Sequence, residues 1–166
     1  MSYGNSADSR VRIQASAEAL FGYLDDHRRL ASHMSQPSMM MLGGRMAYEF
    51  DRSEGREIGG RIRMTGAFLG MRLYVEETIV ERRPPVRKVW ETTNRPLLLI
   101  IGSYRMGFEI EAMQEFSNLR VFIDYNLPAT LTGRLIGTFL GPVYARWCVG
   151  RIASDAAIRF QHPAVL

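Results

Sequence analysis

Glu77 is the residue whose position most invites chemistry. In Met71–Glu81 the apolar residues Met71, Leu73, Val75 and Ile79 recur at a spacing of two, with Arg72, Tyr74 and Glu76 opposite. Glu77 falls on the apolar side, in phase with Val75 and Ile79. A carboxylate on such a face must be paired or carry a raised pKa. A neutral acid or poised base in a dry setting suits dehydration or aldol-type ring closure. Tyr104 and Tyr125, on the apolar faces of later strands, join Glu77 as candidate acid–base groups. Two plainer accounts stand beside this one: a bulge that turns Glu77 to water, or a structural ion pair with an arginine.

Other reactive residue types form no constellation. His27 and His33 lie on or beside a short helix and read as surface histidines. No Cys, His or carboxylate cluster completes the three protein ligands that a catalytic zinc needs, and neither a metal nor an organic cofactor is expected. Cys148, next to Trp147, has Arg146 nearby but no adjacent His or Lys, and reads as a buried, inert thiol. Ser103 has no base beside it. Gly43–Gly44 and Gly59–Gly60 lack the strand–helix context of a phosphate loop. Asp124 and Asn126 alternate outward and read as solvated.

The elements that must position these residues follow from periodicity. Residues 1–8 read as a loose tail, followed by a strand at Arg10–Gln14 with Val11 and Ile13 on one side. Ser16 is a candidate N-cap for a helix with Leu20, Phe21 and Leu24 as its apolar stripe. Asp25 or Asp26 caps a second short helix carrying Leu30 and Met34, and Pro37 and Gly43–Gly44 bracket a Met-rich stretch, Met39–Met41. Strands are expected at Met46–Asp51, Ile58–Leu69, Met71–Glu81, Val86–Thr93, Ile100–Ala112 and Leu119–Leu127. Pro84–Pro85 closes the third of these, and Asn94–Pro96 reads as a turn. Each strand has one apolar and one largely charged face, as in an antiparallel sheet solvated on one side. After Pro128 the period becomes 3.6: Leu131, Leu135, Ile136, Phe139, Leu140, Val143, Tyr144, Trp147, Ile152 and Ile158 fit a broad stripe on a helix reaching about Phe160. Gly141–Pro142 should kink or break that helix.

Strand parity also supplies the lining of a concave face. Tyr48 and Phe50 come from the first strand of the meander, and Ile62, Met64 and Phe68 from the second. Leu73, Val75 and Ile79 follow from the third; Tyr104, Met106, Phe108, Ile123 and Tyr125 complete the set. Leu135, Phe139, Val143 and Trp147 are expected to approach from the helix. The architecture is α+β, a curved antiparallel sheet around a long C-terminal helix. An apolar lining with a few placed tyrosines suits a hydrophobic guest, although the same residues could pack a solid core.

Composition removes other classes. The 166 residues carry a formal charge of +4 and are 46% hydrophobic, enough for one proper core. Lys88 is the one lysine among 21 basic residues, and the cations form no run, so they read as a solvated surface rather than a nucleic-acid groove. A single cysteine forms no internal disulfide, which suits a reducing compartment. The polar start MSYGNSADSR lacks an apolar signal core, and Ala129–Val149 is interrupted by Arg134 and Arg146, so neither export nor a transmembrane segment is expected. A cytoplasmic location follows.

The order of strand, two short helices, antiparallel strands and long helix, with VRIQASAEALFGYLDD, YVEETIVERRPPVRKVWET, YRMGFEI, IDYNLP and LGPVYARWCVGRI, resembles the START-like helix-grip (SRPBCC) superfamily in its polyketide-cyclase/dehydrase and lipid-transport branch. The resemblance covers nearly the whole chain and lies in order and spacing rather than in one sharp motif. It implies a single ligand-binding domain over residues 9–162, with a cavity between sheet and helix and His27 and His33 near its entrance. Members carry lipids, sterols, hormones or polyketides, and some are cyclases, dehydratases or quinone carriers. The first expectation is therefore a binder of a lipid, isoprenoid or polyketide-like molecule. The second is a cyclase or dehydratase using Glu77, Tyr104 and Tyr125. A third is a protein-partner or membrane-surface role through exposed arginines. A homodimer is left open.

Overall fold

Alternating apolar and charged residues on each strand commit one face of the sheet to the interior, and the connections set the strand order. The computed structural model describes residues 2–30, 45–68 and 71–161. The expectations at His33, Met34, Pro37, Met39–Met41 and Gly43–Gly44 lie outside the described residues. Strand β1 (Asn5–Ile13) leads into helices α1 (Ala17–Leu24) and α2 (His27–Leu30). Strands β2 (Arg45–Phe50), β3 (Arg61–Phe68), β4 (Met71–Arg83), β5 (Arg87–Leu97), β6 (Tyr104–Ala112) and β7 (Ser117–Tyr125) follow, then helix α3 (Leu131–Gln161). The strands form one seven-stranded sheet in the order β1-β7-β6-β5-β4-β3-β2, and every neighbouring pair is antiparallel. This is the expected α+β helix-grip architecture.

Ser16 caps α1 as its residue type suggests, its hydroxyl accepting the Ala19 N–H at 3.2 Å. Leu20, Phe21 and Leu24 are buried against the sheet, with Phe21 edge-on to Phe108. The strand before them starts earlier than alternation suggests. Asn5–Asp8, read as tail, pair with β7 from Asn5↔Tyr125 to Asp8↔Phe122. Polar composition marked these residues as loose, but ladder hydrogen bonds use backbone groups and are indifferent to side-chain type.

The stretch read as a turn at Asn94–Pro96 also stays in the sheet, because β5 runs on to Leu97. Asn94 takes a left-handed backbone, φ 64°, which asparagine tolerates, and the register slips from Glu76↔Thr93 to Tyr74↔Leu97. A second irregularity lies between Ile79↔Trp90 and Glu81↔Val89. It leaves Val80 exposed and lies beyond Glu77, so Glu77 keeps the inward phase of Val75 and Ile79.

Helix α3 overturns the expected side-chain assignment. It packs on β1 and β7, buries Gly133, Gly137, Gly141, Ala145, Cys148 and Val149, and continues without a break through Pro142. Leu135, Phe139 and Val143 point outward, 64%, 71% and 53% exposed, and do not line the interior. The reason is distance. A Cβ at Gly137 would stand 2.6 Å from the Ile100 carbonyl oxygen, so only glycine permits that approach of helix to chain. Periodicity identifies a stripe by hydrophobicity, whereas close packing selects by volume.

Candidate functional site

The site forms where three adjacent strands place a carboxylate, a threonine and a tyrosine side by side. Glu77 lies at the centre of β4, opposite Ile62 on β3 and Thr92 on β5, and is 3% exposed. The β5–β6 ladder runs only as far as Glu91↔Arg105. Beyond it Thr92 replaces the backbone pairing: its Oγ1 accepts the Tyr104 N–H at 3.1 Å and its hydroxyl donates to the Tyr104 carbonyl at 3.4 Å. Backbones two strands apart are separated by roughly 10 Å. The tyrosine spans that gap over the short threonine, and the Tyr104 hydroxyl donates to Oε1 of Glu77.

A third partner arrives from outside the sheet. His27, the first residue of α2, places Nε2 3.4 Å from Oε2 of Glu77 and is 4% exposed. Its ring stands edge-on to Trp90 with centroids 4.7 Å apart. The surface position read from sequence is thus wrong for His27. The short chain between α1 and α2 folds it inward, which a lone histidine in a polar run (Asp25–Arg29) does not announce. Burial lowers the His27 pKa and outweighs the opposing pull of Glu77, so the ring is neutral at pH 7. With the proton on Nε2 to serve Glu77, Nδ1 is left as an acceptor, and among the described residues it has no hydrogen-bond partner.

Burial likewise raises the Tyr104 pKa, and the Glu77 charge adds to the shift, so Tyr104 remains a protonated donor. Tyr48 on β2 is half-buried; its pKa is raised by burial first and then by Glu77 and Cys148. Tyr144 on α3 is raised by burial too and donates to the Cys148 sulfur. Burial pushes the Cys148 thiol up to about 12, which makes it an unreactive thiol, as its surroundings in sequence suggested.

A second buried polar cluster fixes the corner that carries His27. Lys88, 0% exposed, donates from Nζ to the Asp25 carbonyl and to Oδ1, each at 2.9 Å. Arg82 adds two bonds to the same carboxylate, at 3.1 and 2.8 Å. Burial would raise the Asp25 pKa, but the hydrogen bonds from Arg82 and Lys88 hold it below the ordinary carboxylate range. Asp25 ends α1 and stands two residues before His27, so this cluster positions the histidine. Sequence reading missed the role of Lys88; its sharing a strand phase with Trp90 was the available signal.

Of the other candidates, Ile62, Met64, Val75, Ile79, Met106, Phe108 and Ile123 are buried in the core. Tyr48, Phe50, Leu73 and Trp147 are half-buried and pack against it. Phe68 ends β3, and its side chain lies outside the described residues. Tyr125 pairs with Tyr104 across the sheet, but its ring abuts Gly141 of α3 rather than joining Glu77. Asn126 is not merely solvated: its side chain accepts the Gly4 N–H at 3.0 Å and donates to Ser103 at 3.2 Å. Among the described residues no group of three or more His, Cys, Asp or Glu converges on a metal position. The arrangement can hold and exchange a proton at one carboxylate, between a phenol and an imidazole, at the inner end of an apolar face.

No family model matches the chain, and no curated protein matches it. Solved structures do. A protein from Thermus thermophilus is 14% identical, with a TM-score of 0.67 over 95% of this chain and 97% of that one. Norcoclaurine synthase from Thalictrum flavum is 13% identical, with a TM-score of 0.63 over 96% of this chain and 87% of that one. A major latex-like protein from Panax ginseng is 10% identical, with a TM-score of 0.57 over 93% and 97%. At these identities the likeness is one of fold, the START/Bet v 1 helix-grip fold.

Proposed function

We propose that this helix-grip chain, whose ordered domain begins with β1 at Asn5 rather than at residue 9, binds an apolar small molecule of lipid, isoprenoid or polyketide-like class between the concave sheet face and α3. The polar end of that molecule meets Glu77, Tyr104 and His27. One observation carries the reading: a buried carboxylate, bonded by Tyr104 and faced by His27, lies within electrostatic reach of half-buried Tyr48 and Tyr144. A polar pole beside incompletely buried aromatic groups is the composition of a small-molecule site. The shared fold is consistent with it, one norcoclaurine synthase structure of this fold being a complex with a transition-state analogue. Native mass spectrometry of freshly purified protein tests the proposal, together with titration of the fluorescent probe anilinonaphthalene sulfonate. A co-purified apolar molecule that the probe displaces from the native protein supports it. Probe binding absent from native protein, with no adduct, overturns it.

A second reading is supported by the same Tyr104–Glu77 hydrogen bond. A carboxylate between a phenol and an imidazole has the parts for general acid–base catalysis on a carbonyl substrate, a cyclase or dehydratase reaction. Turnover of a poly-β-keto mimic, lost in Glu77→Gln and Tyr104→Phe, is the expected result. Full turnover in both variants defeats this second reading and leaves the first intact.

A further inference from the structure

The first half of α3 is inverted relative to an ordinary surface helix. Its buried side is Gly133, Gly137, Gly141 and Ala145, and its outward side is Leu131, Leu135, Ile136, Phe139, Leu140 and Val143, each between 40% and 86% exposed. Six large apolar side chains on consecutive turns form a continuous ridge, and contiguous exposed apolar surface marks an interaction site. The helix's own charge along the ridge has one sign. No Asp or Glu occurs between Asp124 and Asp155, while Arg134 and Arg146 are exposed towards either end of the ridge.

We infer that this ridge docks on the surface of an anionic lipid bilayer, with the Leu135–Phe139–Val143 side chains in the acyl boundary and Arg134 and Arg146 at the headgroups. Apolar side chains flanked by cations are what an interfacial helix needs, and such helices lie with their apolar side about 5–10 Å into the boundary region. Among the described residues no helix is long and apolar enough to cross a membrane, so the mode is surface docking. A second copy of the chain fits less well. Symmetric pairing through the ridge would bring arginines of the two copies together with no carboxylate of this half-helix to offset them. The inference stands apart from ligand binding, since it uses the opposite side of the helix from the sheet.

Co-sedimentation of the full chain with large unilamellar vesicles tests it, comparing phosphatidylcholine alone with a phosphatidylcholine–phosphatidylglycerol mixture. The expected result is binding to the anionic vesicles, weaker binding to the neutral ones, and marked weakening of the anionic arm at about 0.5 M salt. Arg134→Gln and Arg146→Gln should each reduce partitioning roughly fivefold. Leu135→Asp with Phe139→Asp should abolish it, and an unchanged thermal melt would show that these exposed positions leave the fold intact. Equal sedimentation of the wild type and the double Asp variant overturns the proposal, as does failure of the wild type to bind either vesicle. A concentration-dependent dimer, lost in the Asp variant and without vesicle binding, would assign the ridge to a second copy instead.

Discussion

His27 Nε2 lies 3.4 Å from Oε2 of Glu77, which ties the short helix α2 to the centre of strand β4. The contact joins residues fifty positions apart in sequence and gives Glu77 a second partner beside Tyr104. A buried carboxylate with donors on both oxygens is stable in place, and its removal strands those donors.

Tyr104→Phe should destabilise the fold by about 1–3 kcal/mol, since it leaves one oxygen of buried Glu77 without its donor. Glu77→Leu should interact with it: the double variant is expected to cost less than the sum of the singles, because leucine offers the Tyr104 hydroxyl no acceptor and the bond is absent in either one. Urea denaturation of the four proteins measures the coupling. Strict additivity would mean that the bond contributes nothing.

Acidification should unfold the protein earlier than it would a chain lacking His27. The folded-state pKa of His27 is depressed below its ordinary 6.5 by burial. In that window the unfolded chain binds the additional proton, so stability falls as pH drops below about 6.5. Urea midpoints between pH 8 and pH 5 check the slope, and His27→Gln should flatten it. An equal slope in the variant would place the titrating group elsewhere.

Asp25→Ala should be far worse than Lys88→Met. Removing Asp25 leaves the buried Lys88 ammonium without its carboxylate, at an expected loss of about 3–5 kcal/mol. Lys88→Met keeps the stem volume and leaves Asp25 its two bonds from Arg82, so a smaller loss is expected. Chemical denaturation of both variants decides the order, and its reversal would refute the charge argument.

Two glycines of α3 should respond to alanine with opposite signs. Gly137→Ala forces a methyl against the Ile100 carbonyl and should cost about 1–3 kcal/mol. At Gly150 nothing lies within 4 Å of an added Cβ, and alanine should stabilise the helix by up to about 1 kcal/mol. Thermal melts of the two variants report the signs directly.

Much of the fold was legible because period two and period 3.6 are local properties. The inward phase of Val75, Glu77 and Ile79 needed only alternation, as did that of Tyr104, Met106 and Phe108. Glu77 and Tyr104 could be nominated singly on that basis. Their pairing could not, because it depends on which strand lies between them and on Thr92 being short enough to cross. His27 and Lys88 carried even less signal. Each is a polar residue in a charged neighbourhood, and only the path of the chain from α1 to α2 brings them under cover.

The residue pattern by itself determined the number and type of most elements, the antiparallel meander and the inward phase of the acid–base candidates, since each follows from neighbours a few positions away. Tertiary structure alone decided which groups meet at Glu77 and which side of α3 faces the sheet. Hydrophobicity ranks the Leu135–Phe139–Val143 side as the one to bury, but the close approach of Gly133, Gly137 and Gly141 to Pro128, Ile100 and Tyr125 leaves no room for a larger side chain at those turns, and a distance between distant segments is not written in any local period.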